Sequence, residues 1–449
     1  MTDQQDDHLG LFGIGADAAP HAKRPVRRRR GAAPPTPAGP APDLDPGAVR
    51  SALASRAGGA PVTAPTPVVP AGRRRRRWSV LIALLVLALI AGGLAVGFTL
   101  WRRTPAAAIA DFAGPGDSTV IIQIQSGDGV PVIAETLARA QVVASADAFA
   151  STAEDDADVM ALPPGYYRVR QHASAAAAAD ELVNPANRVG QVRLNPGGRL
   201  ADITAGSRTV PGYLSQIAAA ACVPVDQRRR CVTAAELQQA ASTTPAAQLG
   251  VVSWAVADVD GAPEKDKRLE GMIVPGDYNI PPNADAVTTL KAVISASAVE
   301  FNSGNIVAAA AAQRMTPYRA LIVGSVVQQE VLTPDMPAAA RVIYNRLSKP
   351  MPLQMDSTVN YAAGHAQIAT AAAERSNPSP YNTYVHQGLP PTPISSPGPD
   401  AMDAALSPPP GPWLFFVKVD KAGASCFSTT IAQHQQCVEK ARAAGVFDG

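Results

Sequence analysis

A run of 23 residues without a charge, SVLIALLVLALIAGGLAVGFTLW from Ser79 to Trp101, constrains this chain more than any other feature. At about 1.5 Å per residue, a helix of that length crosses a hydrocarbon core of about 30 Å with room to tilt. Trp78 and Trp101 stand at the two interfacial positions. Arg73 to Arg77 lie on one side and only Arg102 and Arg103 on the other, so the positive-inside rule predicts a cytoplasmic N-terminus. A cleaved signal peptide is the alternative, with AAAIA (106–110) offering small residues. The run is longer than a signal core of about 7–15 residues, and basic residues follow it. The expected arrangement is one uncleaved anchor, a single pass through the cell membrane, with the rest of the chain extracytoplasmic.

The charge changes sign at this run. The net charge of the 449 residues is +2, but residues 1–77 carry 13 Lys/Arg against 6 Asp/Glu, whereas 104–449 carry 24 against 31. That division argues against nucleic-acid binding: the arginine runs flank the membrane segment and the remainder is acidic. Twelve of the first 77 residues are Pro, and stretches such as GAAPPTPAGPAP (31–42) have no hydrophobic period, which predicts a disordered tail. All four cysteines, Cys222, Cys231, Cys426 and Cys437, fall on the outer side, where disulfides form. Three pairings are open; the local pairs 222–231 and 426–437 would each close a short loop and contribute about 2–3 kcal/mol. No CxxC or HExxH spacing accompanies the six histidines, so no metal site is expected.

The outer part reads as α+β. TVIIQIQSG (119–127) is a β-rich run, VPVIAETLARAQVV (130–143) and ADAFASTAED (146–155) read as helices, and PPGYYRVR (163–170) as turn plus strand. A helix is expected over 173–183, and GQVRLNPGGRLADI (190–203) reads as strand, turn and helix, the opening of a second such unit. Residues 205–268 form a connecting region with one cysteine pair and helical bias at 234–241. An amphipathic helix over 284–301 follows. Thr316 and Pro317 then supply an N-cap and first turn to YRALIVGSVVQQEV, with Ile322, Val323, Val326 and Val327 as its buried stripe.

Glu330 continues that stripe. A desolvated carboxyl stays protonated near neutral pH and can give its proton to a leaving oxygen. The alternative is a structural carboxylate held by a partner at the helix end. A helix over 338–347, a polar loop LQMDSTVNY (353–361), a Pro/Gly-rich connection through 381–398, a hairpin over 413–429 and a helix over 430–444 complete the chain. Gln354, Asp356 and Thr358 on one loop, and Asn382, Thr383 and Tyr384 on another, carry the groups that grip sugars; hydrogen bonding within the loops is the alternative for each. No SxxK or GxSxG occurs in the outer part, so a serine nucleophile has no setting.

In order along the chain stand LEG (269–271), GSVVQQE (324–330), NRL (345–347), LQMDSTVNY, YNTY (381–384), GLPPTPISSPG (388–398), FST (427–429) and His434. With these motifs, 269–449 resembles the catalytic region of the MltG (YceG-like) endolytic murein transglycosylases, and 118–204 resembles their LysM-like unit. The resemblance implies Glu330 as the one catalytic residue and peptidoglycan glycan strands as substrate. It implies non-hydrolytic cleavage of the MurNAc-β-1,4-GlcNAc bond that leaves 1,6-anhydro ends and terminates strand elongation, without metal or organic cofactor. Peptidoglycan synthases are the implied neighbours, and a non-catalytic wall-binding scaffold is the alternative. Two positions depart from the pattern: Gln328 replaces an acidic residue, and Ser428 stands where an Asn is frequent, which puts an amide contact there in doubt. Asp356 is a candidate second carboxylate, and His434 reads as structural.

Overall fold

Alternation in TVIIQI builds the first strand. In β1 (Thr119–Ile124), Ile122 and Ile124 turn inward, and β1 pairs antiparallel with β2 (Gly165–Arg170), setting Ile122 opposite Tyr167. This is a computed structural model that describes residues 83–96, 109–205, 207–225, 231–364 and 372–447. The chain divides into a unit spanning 17–108 and a unit holding the remainder. In the smaller unit the described residues form a helix, α1 (83–96), whose side chains are all exposed, Leu87 at 69% and Leu94 at 70%. Both ends of the apolar run, its flanking arginines and the tail 1–77 lie outside the described residues. Among the described residues, no helix is long and apolar enough to cross a membrane.

Between β1 and β2 lie α2 (Val130–Arg139), α3 (Ala146–Ala153) and α4 (Ala157–Met160); α5 (Ala175–Val183) follows β2. Each of the last three starts on a polar cap: Ser145, Asp156 and Ser174 accept the N–H groups that a first turn leaves unpaired. Leu137, Phe149, Tyr167 and Leu182 close the core of this segment. A third antiparallel strand, β3 (Arg188–Val189), lies beside β2. One residue later begins β4 (Gln191–Leu194). The residue between is Gly190, at φ +75°, where a Cβ would stand 2.3 Å from the Ile280 carbonyl oxygen, so only glycine makes this crossing from one sheet to the next.

The expected helix within 190–203 does not form. Pro196 removes a backbone donor after β4, and the chain runs on into a small ribbon, β5 (Ile203–Ala205) with β6 (Arg208–Val210). Helices α6 (Tyr213–Ala221), α7 (Ala234–Thr243) and α8 (Val256–Gly261) follow; α7 begins on a Thr233–Glu236 capping box. β4 finds its partner in β7 (Gly276–Asn279), far along the chain, so there is no second β-α-α-β unit. Then come α9 (Ala286–Ser303), α10 (Ile306–Ala312), α11 (Pro317–Glu330) and α12 (Met336–Leu347). The segment read as a polar loop at 353–361 is a helix from its fourth residue, α13 (Asp356–Ala363). The chain closes with α14 (Ala372–Arg375), α15 (Pro399–Leu406), the hairpin β8 (Phe415–Lys418) and β9 (Ser425–Ser428), and α16 (Ile431–Ala443). Cys222 is bonded to Cys231, and Cys426 on β9 to Cys437 on α16.

The architecture is α+β, with every described strand pair antiparallel. α11 stands between two cores. Tyr318, Leu321 and Ile322 pack with Ile217, Leu237 and Leu290, while Val323, Val326 and Val327 pack with Val342, Ile343 and Ile394. Ala320, Gly324 and Ser325 are buried too, so this helix is enclosed around most of its circumference rather than along one stripe.

Candidate active site

α11 starts with the Thr316 hydroxyl accepting the Arg319 N–H at 3.2 Å, with Pro317 in the first turn, and ends at Glu330 because Val331 turns extended. The two cores therefore deliver a carboxyl on a rigid helix end, and Glu330 is 1% exposed. Its Oε1 accepts the Ser357 hydroxyl at 2.7 Å and the Ser357 N–H at 3.3 Å. Its buried Oε2 has no hydrogen-bond partner among the described residues. Burial pushes the carboxyl up to about 8; the Ser357 hydroxyl and the Lys418 ammonium oppose this, and the charge of Asp356 adds to it. Burial in turn pushes Lys418, on β8, down to about 8 against the pull of Glu330. Glu330 is thus neutral at pH 7, with one oxygen held and the other uncommitted, an arrangement able to donate a proton.

Both segments proposed to grip sugar come together next to Glu330. Tyr384 donates its hydroxyl to Asp356 Oδ1 at 2.7 Å, and burial followed by the Asp356 charge holds that phenol far above its ordinary range. Gln354 sits at φ +52°, its N–H bonded to the Thr383 carbonyl at 3.0 Å and its Oε1 accepting from Arg346 Nη1 at 3.5 Å. Three of the six residues do not present their polar groups outward. The Thr358 and Thr383 hydroxyls lie 2.9 Å apart, and Thr383 Oγ1 also accepts the Met355 N–H. The Asn382 amide donates to the carbonyls of Arg375 and Asn377 and accepts the Tyr384 N–H. All three are buried; the two threonines join the two segments, and Asn382 braces its own. Gln354 and Tyr384 remain part-exposed, and Asp356, itself buried, is close enough for its charge to act on Glu330.

Three residues of the site were not singled out from sequence. Ser357 lies inside the DST triplet with its neighbours named and itself passed over. Arg346, within NRL, donates from Nε to the Leu414 carbonyl at 2.6 Å and from Nη1 to the Leu353 carbonyl at 2.7 Å, tying α12 to the turn before α13 and to the approach to β8. Lys418 ends a run of buried strand residues, FFVK, and a lysine in that setting was its available signal. Ser428 is buried and its hydroxyl has no hydrogen-bond partner among the described residues. His434 is buried and stacks on Phe415 at 5.4 Å. A cavity of about 480 Å³ lies away from Glu330, lined by Phe301, Ile306, Met402 and Leu406 among others. Its carboxylates, Glu300 and Asp403, are exposed, whereas Glu330 is enclosed, so chemistry rather than volume marks the site at Glu330.

A buried carboxyl with one oxygen held by a helix start and the other uncommitted, enclosed by an α+β body, defines the class of site. The profile of the YceG-like family matches residues 122–440, and the chain belongs to that family. The chain is similar to the endolytic murein transglycosylase of Bacillus subtilis (strain 168), 34% identical over 175 residues, 38% of this chain and 48% of that protein. It is also similar to the endolytic murein transglycosylase of Streptococcus pneumoniae serotype 2 (strain D39), 30% identical over 203 residues, 42% of this chain and 36% of that protein. The matched part spans about half of these curated relatives or less. A crystal structure of a yceG-like protein from Listeria monocytogenes aligns over 72% of this chain and 99% of its own, at 24% identity and a TM-score of 0.46.

Proposed function

We propose that this protein is a membrane-anchored lytic transglycosylase that cuts MurNAc-β-1,4-GlcNAc bonds within glycan strands of peptidoglycan. The observation that carries this reading is Glu330: buried, pushed up to about 8, with Oε1 fixed by Ser357 and Oε2 unpartnered among the described residues. The names of the similar curated proteins point the same way. A hydrolase of ordinary type works with two carboxylates in separate roles. Here one carboxyl serves twice. Glu330 gives its proton to the glycosidic oxygen as the bond to MurNAc C1 breaks. The resulting carboxylate then takes the proton of the MurNAc C6 hydroxyl as O6 bonds to C1, which restores the acid and leaves a 1,6-anhydro ring. Lys418 supports the charged state between the two transfers, and Ser357 keeps the carboxyl from rotating. Because Glu330 is 1% exposed, the surrounding shell has to open for a strand to reach Oε2.

The N-terminal segment 118–204 is proposed to bind glycan as a LysM-like unit, on the strength of the helices α2 to α4 that stand between its paired strands β1 and β2. The anchor reading is supported by α1, where leucines 69–70% exposed call for an apolar surrounding, and by two disulfides in the outer part. The tail would then be cytoplasmic, and peptidoglycan synthases would be neighbours in the membrane. Incubating the detergent-solubilised full chain with uncrosslinked glycan strands, followed by mass spectrometry of the ends, tests the reaction. Anhydro-MurNAc ends are expected from the wild type and not from Glu330→Gln. Reducing ends would make it a hydrolase, and binding without cleavage would make it a scaffold.

A further inference from the structure

Besides Glu330 and Asp356, Glu270 is a third carboxyl closed off from solvent, 3% exposed, and the reaction proposed above does not use it. It precedes β7 in the LEG motif. Its Oε1 accepts the Leu200 N–H at 3.1 Å, and its Oε2 accepts the Tyr361 hydroxyl at 3.1 Å. The Arg199 guanidinium lies 5.2 Å from the centre of the Tyr361 ring and donates to the Asn360 carbonyl at 3.5 Å. Burial pushes Glu270 up to about 7, with Arg199 the main opposing charge; the phenols of Tyr213, Tyr318 and Tyr381 also face it.

Tyr361 belongs to α13, four residues after Ser357, so the two side chains leave the helix on one face about a turn apart. One hydroxyl holds Glu270 and the other holds Glu330. A helix of two turns has too little stability of its own to define its place, so its tertiary anchors do so. We propose that Glu270 and Tyr361 are positioning residues for Glu330: they fix α13 at its far turn and thereby set where Ser357 delivers its N–H and hydroxyl to Glu330 Oε1. This rests on Glu330 being the reacting carboxyl. Ser357 donation favours the charged form of Glu330, so any loosening of α13 raises the pH at which Glu330 ionises.

The test uses the full chain with Tyr361→Phe, Ser357→Ala, their double, Glu270→Gln and Glu270→Leu. It reads the pH profile of strand cleavage and a ¹³C-carboxyl NMR titration in which Glu330→Gln assigns the signal. Tyr361→Phe is expected to lower kcat about tenfold with KM within about twofold. Its Glu330 titration midpoint should rise by about half a pH unit or more. The double variant should shift that midpoint no further than Ser357→Ala alone, because both act through the same bond. Glu270→Gln, which keeps one oxygen able to accept the Tyr361 hydroxyl, should stay closer to the wild-type midpoint than Glu270→Leu, which accepts neither donor; this pair carries the comparison if Tyr361→Phe fails to fold. An unmoved midpoint in Tyr361→Phe, or additive shifts in the double, overturns the inference. Cleavage that survives in Glu330→Gln would instead overturn the proposed reaction, and the carboxyl titration would still judge the positioning, since it does not depend on turnover.

Discussion

Replacing Glu330 by Gln should stabilise the fold, and by an amount that grows with pH. The ordinary value for this carboxyl is 4.5, and in the folded protein burial pushes it up to about 8. Between those limits the folded chain holds a proton that the unfolded chain has released, so stability falls by about 1.4 kcal/mol per pH unit. The contribution is fully present below the unfolded value and is lost as pH rises through the folded one. Over the whole interval the loss is about 5 kcal/mol as an upper bound. The attraction of the Lys418 ammonium is already contained in that value, and relaxation around the buried charge brings the loss below this ceiling. A net gain of about 2–5 kcal/mol at pH 9 follows, against about 1 kcal/mol at pH 5. The amide oxygen of Gln can still accept the Ser357 hydroxyl, while its NH2 takes the place of the unpartnered Oε2; that cost does not vary with pH, so the pH-dependent part of the difference reads the carboxyl alone. Glu270 titrates in both proteins and drops out of the difference. Differential scanning calorimetry of both full-length proteins from pH 5 to pH 9 measures it, with a Tm gap of several degrees opening toward alkaline pH. A gap independent of pH, or a variant less stable than wild type at pH 9, would refute the claim that burial dominates this carboxyl.

Three further outcomes are expected. Gly271 sits at φ +75°, and a Cβ there would stand 2.6 Å from Pro393 Cβ; Gly271→Ala should therefore cost about 2–4 kcal/mol, read from the urea midpoint. Replacing Cys426 and Cys437 together by Ser should lower stability by about 2–3 kcal/mol, and reductant, which also opens Cys222–Cys231, should lower the wild-type midpoint at least as far. Tyr384→Phe removes a hydroxyl that donates to Asp356, beside Glu330. Strand cleavage should fall about tenfold while the melting temperature changes by a few degrees at most.

What could be read from sequence was whatever is encoded within a few residues. Thr316 and Pro317 announce the start of α11 by local chemistry, and the spacing of Ile322, Val323, Val326 and Val327 gives its inward side. α13 announces nothing comparable. DSTVNYAA is polar and partly β-branched, and its helix is held by Ser357 on α11, by Thr358 on the 381–384 segment and by Tyr361 on the LEG turn, all partners distant in the chain. The pairing of β4 with β7 was illegible for the same reason, since its register joins Gln191 to Asn279 across most of the α6–α8 region. At the site, Glu330 was legible because helical period carries a carboxyl inward. Thr358, Asn382 and Thr383 have the polarity of sugar-binding residues, and that polarity is spent on backbone and hydroxyl partners that composition cannot display.

The single residue between β3 and β4 has a mechanical consequence. Arg188 and Val189 are paired in the first sheet and Gln191 in the second, so Gly190 is the whole of the connection, and Arg188 also bonds across to Asn279 on β7 at 3.3 Å. Rotating the N-terminal segment against the rest would break one ladder or the other, which a hinge of ordinary length would not require. On the proposed reading, a strand bound by that segment would reach Glu330, once the shell around it opens, across one fixed frame. Such a frame works as a ruler: its span, more than the strength of that binding, would set the length of glycan released.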